Sequence, residues 1–250
     1  MKTLSKSLLY AISLGGGLAI WQVLTRHASA VLIAPPSAVL VRLATELASG
    51  TLFWALMRSL GALAAGFAIA LAIAVPLGMA IGRSRRLGAI FNPVINALYA
   101  IPPVAMVPFL VIWFGLFYQA RVALVVFMSF FEILVTVEAG ARNVDPMLPT
   151  VGRSFGCRRL QLARHVILPA SLPFLFTAFR IGLVRAINGM ITAELFFAAV
   201  NLGALMKDSE QRFDTAGILA IIVLLCLLGL ASQEGVKAAE SRLLPWHLRA

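Results

Sequence analysis

Few residues in this chain of 250 are equipped for chemistry, and their spacing excludes most of it. The four lysines are Lys2, Lys6, Lys207 and Lys237, and none follows a glycine. The chain therefore lacks the Gly-x-x-x-x-Gly-Lys-Ser/Thr loop whose backbone cradles ATP phosphates. Its three histidines and two cysteines, Cys157 and Cys226, show neither metal-ligand spacing nor a credible Ser/His/Asp arrangement. The cysteines read as free thiols. What remains is charge set among apolar side chains: Glu132, Glu138, Glu194, Arg180 and Arg185 stand in or beside long hydrophobic runs. A charge at the centre of a bilayer costs about 3 kcal/mol on insertion scales, so such residues face protein or water and line a pathway or hold helices together. Arg180 and Glu194 lie too far apart to pair within one straight helix, about 21 Å at 1.5 Å per residue. Arg58, near the outer end of the second run, is expected to snorkel.

Helical membrane spans must position these groups. The chain is 61% hydrophobic and 12% charged, with a mean hydropathy of +0.95, more apolar side chain than a soluble domain of this length can cover. Runs long enough to cross about 30 Å of hydrocarbon recur, at Leu8–Leu24, Trp54–Gly82, Ala89–Phe114, Val122–Ala141, Phe174–Val200 and Ala216–Gly235. The expected fold is all-α, a polytopic bundle of about six transmembrane helices in a single domain over 1–250, with its core at 50–235. The first run reads as a retained span rather than a cleaved signal peptide, being long and closed by Trp21. The net charge of +11 is scattered between the runs rather than gathered with aromatics, which argues for a lipid bilayer and against nucleic acid.

Basic residues set the orientation, because Lys and Arg accumulate in cytoplasmic loops. With the N-terminus inside, the inner segments collect Arg83, Arg85, Arg86, Arg142, Arg153, Arg158, Arg159 and Arg164, while the outer ones keep only a few, Arg121 among them. In the outer segment before the second span, Ser37 is placed to cap a short interfacial helix with Val39, Leu40, Leu43 and Leu47 on one face. The third run carries Pro102, Pro103 and Pro108, which remove three backbone N–H groups. A helix broken inside a membrane is tolerated where it is buried in protein or lines a cavity. Those prolines, with Arg180 and Glu194, are the candidates for a translocation path.

The longest inner loop, 142–172, is too charged to span and too patterned to be a mere connector. Asp145 and Pro146 are placed to start a helix, along which Met147, Val151 and Phe155 recur at helical spacing. Gly156 suits the turn that ends it. A second helix follows, with Leu160, Leu162, Ala163, Val166 and Ile167 on one half and Arg158, Gln161, Arg164 and His165 on the other. Pro169 is expected to stop it, and Ser171 with Pro173 to restart the chain as the fifth span.

The stretch "TVGRSFGCRRLQLARHVILP" resembles the EAA loop of inner-membrane permease subunits of ABC importers. That motif runs Glu-Ala-Ala, three residues, Gly, nine residues, an aliphatic, one residue, Leu-Pro. Gly156, Val166, Leu168 and Pro169 fall at the matching spacing, whereas Thr150, Val151 and Gly152 stand in place of Glu-Ala-Ala. "PPSAVL", "AVPLGMAIGRSRR", "YAIPPVAMVPFLVIWFG", "NVDP", "FRIGLVRA", "TAELF" and "LGALM" extend the likeness from about Ser37 to Gly203, toward the branch importing sulfonates, taurine, nitrate and related small solutes.

The resemblance implies a permease of the type I fold in the cell inner membrane, paired with a second copy of itself. It implies two ATP-binding subunits, with ATP and Mg bound there and no cofactor on this chain, and an external or periplasmic substrate-binding protein. It also implies that the loop residues Ser154, Phe155, Gly156, Cys157, Arg158, Arg159, Arg164, Leu168 and Pro169 dock on the ATPase. The chain itself is then a transport subunit and not an enzyme. The rival expectation is an ion-coupled secondary transporter that uses Glu132, Glu138 and Glu194 as proton or sodium sites.

Overall fold

The structure, a computed structural model, describes residues 6–25, 32–197 and 201–243. Val200, the expected end of the fifth span, lies outside them, as does the side chain of Arg159. The described chain is helical, with no strand among the described residues. In order it forms α1 (Lys6–Thr25), α2 (Pro36–Ala48), α3 (Thr51–Arg83), α4 (Arg85–Tyr99), α5 (Val107–Phe114), α6 (Tyr118–Arg142), α7 (Met147–Ser154), α8 (Arg159–Leu162), α9 (Leu168–Phe197), α10 (Asn201–Gln211) and α11 (Thr215–Leu243).

Among the described residues, four helical stretches are long and apolar enough to cross a membrane: Thr51–Arg83, Tyr118–Arg142, Leu160–Phe197 and Thr215–Ala238. The expected third span is not one helix. It consists of α4 and the segment Pro103–Phe114, bent by 85° at the break. Pro102 and Pro103 sit in that break and open a short 3₁₀ turn, Pro103–Met106, where the lost N–H groups fall at a helix start and cost nothing. The expected first span lies within α1, Lys6–Thr25.

The helices group into two compact units, one comprising Met1–Arg58 with Ala198–Leu228 and the other Ser59–Phe197 with Gly229–Ala250. In the first unit α2 forms as expected, but its cap differs. Ser37 lies inside the first turn, behind Pro35 and Pro36, and Gln22 of α1 does the capping: its Oε1 accepts from the Ser37 N–H at 3.1 Å. Val39 and Leu43 are buried, whereas Leu40 and Leu47 face outward. Arg42 on the polar side bridges Glu46 at 3.1 Å and Asp214 at 3.0 Å.

The second unit is built around α6. On α3, Ala62, Gly66, Ala70, Ala74, Gly78 and Gly82 recur every four residues, a stripe of small side chains that lets two backbones approach. A Cβ on Gly66 would lie 2.7 Å from the Val125 side chain and one on Gly78 2.9 Å from the Leu134 carbonyl. The partners advance along α6 as the glycines advance along α3, so the two helices run parallel. Helix α9 packs on another side of α6 in the opposite sense, Gly189 meeting Val125 and Met128, and Gly182 meeting Ile133.

Candidate functional site

Paired charges occur at three levels along α6. Near its start, Glu194 of α9 accepts from Ser59 Oγ of α3 at 2.8 Å and lies 3.6 Å from Arg121 Nη1. All three are substantially buried, Ser59 and Glu194 almost fully. Near the middle, Arg185 Nε of α9 meets Glu132 Oε1 of α6 at 2.6 Å. Near the end, Glu138 pairs with Arg142 one turn on and accepts from Asn92 Nδ2 of α4 at 2.9 Å. Each of the three glutamates that a secondary transporter would need is thus engaged by a cationic side chain. That arrangement lowers the cost of holding charge inside a membrane.

The candidate path residues do not converge on one place. Glu194 belongs to the level near the start of α6. Arg180, half-buried on α9, is several turns away. Pro108 lies in α5, and Pro102 and Pro103 are at the bend. The charges brought to that bend are Glu132 and Arg185: with Tyr99, Pro103 and Phe131 they line a recess of about 160 Å³. Arg121 was expected in an outer loop but lies within α6 and pairs inward. Ser59 carried a readable signal, since it precedes Ala62 and Gly66 on the small-residue side of α3. Nothing in the local sequence marks Asn92 or Tyr99.

The loop follows its expected pattern in the first half. Met147 N–H donates to Asp145 Oδ1 at 2.8 Å, which starts α7 at Met147. Pro149 falls in the first turn of α7. Gly156 adopts φ +78°, and the Gly156 and Cys157 N–H groups return to the carbonyls of Arg153 and Gly152, closing α7 with a glycine in the left-handed region. Leu162 packs over Gly152, where a Cβ would lie 2.6 Å from its Cδ1. The apolar residues do not all pack, however: Phe155 is 84% exposed, Leu160 79%, Met147 64%. Ser154, Arg158 and Arg164 are exposed as well, and Cys157 is half-buried.

The second half departs from expectation at Pro169, which does not stop the helix. Residues Ala163–Ile167 form a π-turn, with the Leu168 N–H donating to the Ala163 carbonyl. This wider turn delivers the chain directly into α9, with Pro169 in the first turn, where it lacks nothing that α9 requires. Ser171 and Pro173 likewise lie within α9, not at a new start. Leu168 and Pro169 are therefore the root of a membrane helix that extends back to the tip of the loop.

A membrane bundle with charge paired at three levels and an outward-facing apolar loop has the build of a transport subunit. Residues 72–243 match the family model of binding-protein-dependent transport system inner membrane components. Over 91% of this chain and 85% of the relative, the sequence is 30% identical to the taurine transport system permease protein TauC of Escherichia coli K12. It is 27% identical, over 91% of each chain, to the formylaminopyrimidine transport permease protein ThiX of Halalkalibacterium halodurans. A chain of the MetNI methionine ABC transporter in an inward-facing crystal form shares the fold, with a TM-score of 0.67 at 20% identity, over 80% of this chain and 97% of that one. This protein belongs to the family of binding-protein-dependent inner-membrane permeases of ABC importers.

Proposed function

We propose that this chain forms the translocation pathway for a small anionic solute, a sulfonate, taurine or nitrate being the type, in an importer powered by a separate ATPase. In this reading two copies of the chain pair in the membrane, with each N-terminus in the cytoplasm. An external binding protein delivers the solute, and two ATP-binding subunits, which hold ATP and Mg, engage the loop around Gly156. The carrying observation is the exposure of Met147, Val151, Phe155 and Leu160 on the loop helices. Apolar side chains left exposed on a loop mark a contact with a protein or a membrane surface, and we read a protein here. Arg158 and Arg164 beside them add charge that a partner can complement.

The loop is also mechanically suited to the role. Gly156 turns the chain sharply, and the helix after it runs without interruption into α9. A push on the tip is then delivered to a membrane helix as a rigid-body motion. The relatives do not decide the charge of the solute, one being named for taurine and the other for formylaminopyrimidine. The arginine at the bend favours an anion.

The test is co-expression with candidate P-loop ATPase subunits of ABC importers from the same organism. The ATPase subunits are expected to co-purify with the wild type and to be lost with Gly156→Pro, because proline cannot take φ +78°. Uptake driven by an ion gradient in vesicles without ATP would overturn the reading.

A further inference from the structure

The recess at the bend holds a cation that its surroundings do not fully use. Arg185 gives its Nε to Glu132, yet its side chain is 48% exposed while that of Glu132 is only 14% exposed. Both residues lie about ten residues, or about 15 Å, from the nearer ends of the runs Phe174–Val200 and Val122–Ala141. A guanidinium at that depth cannot face lipid cheaply. Its exposed part must therefore face water or protein. The α4–α5 break next to it makes the same demand, since non-helical backbone at membrane depth persists only inside protein or beside a water-filled cavity. Two independent features, a half-exposed arginine and an interrupted helix, share one recess with Tyr99, Pro103 and Phe131.

We infer that this recess is a solute-contact station in the pathway, at which Arg185, oriented by Glu132, takes the anionic group of the solute in transit. This rests on the import reading and gives it a residue. Binding Nε to the carboxylate orients the planar guanidinium, whose other edge suits a sulfonate or carboxylate in two-point contact. The same carboxylate offsets the positive charge, so the anion meets a partly neutralised partner and can leave again, as conduction requires. At about 160 Å³ the recess is below the roughly 300–1,000 Å³ of drug-sized ligand sites, a size for one small charged group.

The experiment uses the permease reconstituted with its ATPase and binding protein in ATP-loaded proteoliposomes. Methanesulfonate and nitrate serve as anionic probes, taurine as a zwitterion that carries a sulfonate, and formylaminopyrimidine as a probe without an anionic group. Arg185→Gln is expected to cut import of the transported anion at least tenfold while the ATPase still co-purifies, and Arg185→Lys to restore part of it. Import by Arg185→Gln within twofold of wild type would overturn the station and leave the importer standing. Wild-type import of formylaminopyrimidine alone would overturn the anion reading and the station together.

A second measurement leaves the ion pair intact, in case Arg185→Gln fails to fold. Ile101→Cys, also lining the recess, is placed in a chain carrying Cys157→Ser and Cys226→Ser. Water-soluble charged thiosulfonate reagents are expected to label it, the anionic one several-fold faster than the cationic one. No labelling by either, or equal rates, would overturn the station.

Discussion

The bundle of α3, α6 and α9 and the loop joining α6 to α9 treat apolar surface in opposite ways. In the bundle, small residues bring backbones together: Ala70, Ala74, Ala120, Ala178 and Ala186 are fully buried, and Gly66 and Gly78 have no room for a methyl group. Charges there are paired before they are buried. In the loop the contact is between Leu162 and Gly152, and the large side chains at the tip point outward. One region is closed on its own chain, while the other leaves apolar surface uncovered. A rigid transmission needs both, since packed cores shift as units and do not deform continuously.

The contrast is broken most severely from the bundle side. Gly78→Leu places a side chain where a Cβ alone would lie 2.9 Å from the Leu134 carbonyl and the Val137 Cβ. Helices α3 and α6 must separate, at an expected cost of about 4 kcal/mol. In detergent this should read as loss of the monodisperse species and collapse of the unfolding midpoint. Glu194→Ala comes next. It leaves Arg121 inside the protein without the carboxylate at 3.6 Å, at a cost of about 3 kcal/mol for stranding one partner of a buried pair. Glu194→Gln, which keeps an oxygen for Ser59, should recover part of the loss, and the two midpoints measured side by side check this.

Four of the six expected spans, the start of α7 and the glycine turn were legible because each rests on local chemistry: apolar runs of sufficient length, Asp145 before a helix, Gly156 where the backbone must turn. Partners were not. Glu132, Glu138 and Glu194 could be named as expensive charges, but which arginine answers each depends on how α3, α6 and α9 are packed. Arg121 looked like a loop residue because a basic side chain near a span end is ordinarily one. Pro169 departs from the local rule for a related reason. A proline forfeits the i to i−4 hydrogen bond at its own nitrogen without necessarily ending the helix, as Pro76 in α3 and Pro173 in α9 show, and at Pro169 a π-turn precedes it while leaving little trace in the sequence. At Pro102 and Pro103 the helix does break, and a 3₁₀ turn starts at Pro103.

On the loop side the effects on stability are smaller. Asp145→Ala removes the acceptor 2.8 Å from the Met147 N–H. The cost is about 1 kcal/mol, the usual worth of a side-chain cap, and it falls on α7 alone. Faster amide hydrogen exchange at Met147 and Leu148, with exchange in α6 and α9 unchanged, is the expected signature. Accelerated exchange throughout α9 would mean that the loop supports the bundle, and the two regions would no longer be separable.

Phe155→Ser should disturb the fold least and separates the regions most clearly. With the side chain 84% exposed, little burial is lost, and the unfolding midpoint should move by no more than about 0.5 kcal/mol allows. If the outward apolar residues serve a partner, the same substitution removes a phenyl group that is buried only in the complex. Burying such a side chain is worth about 2 kcal/mol, or about thirty-fold in Kd for the ATPase subunits. Titrating purified ATPase into the reconstituted permease measures that ratio directly. Equal affinity for wild type and variant would mean that Phe155 faces the lipid headgroups, and the loop would then be a surface element with no part in coupling.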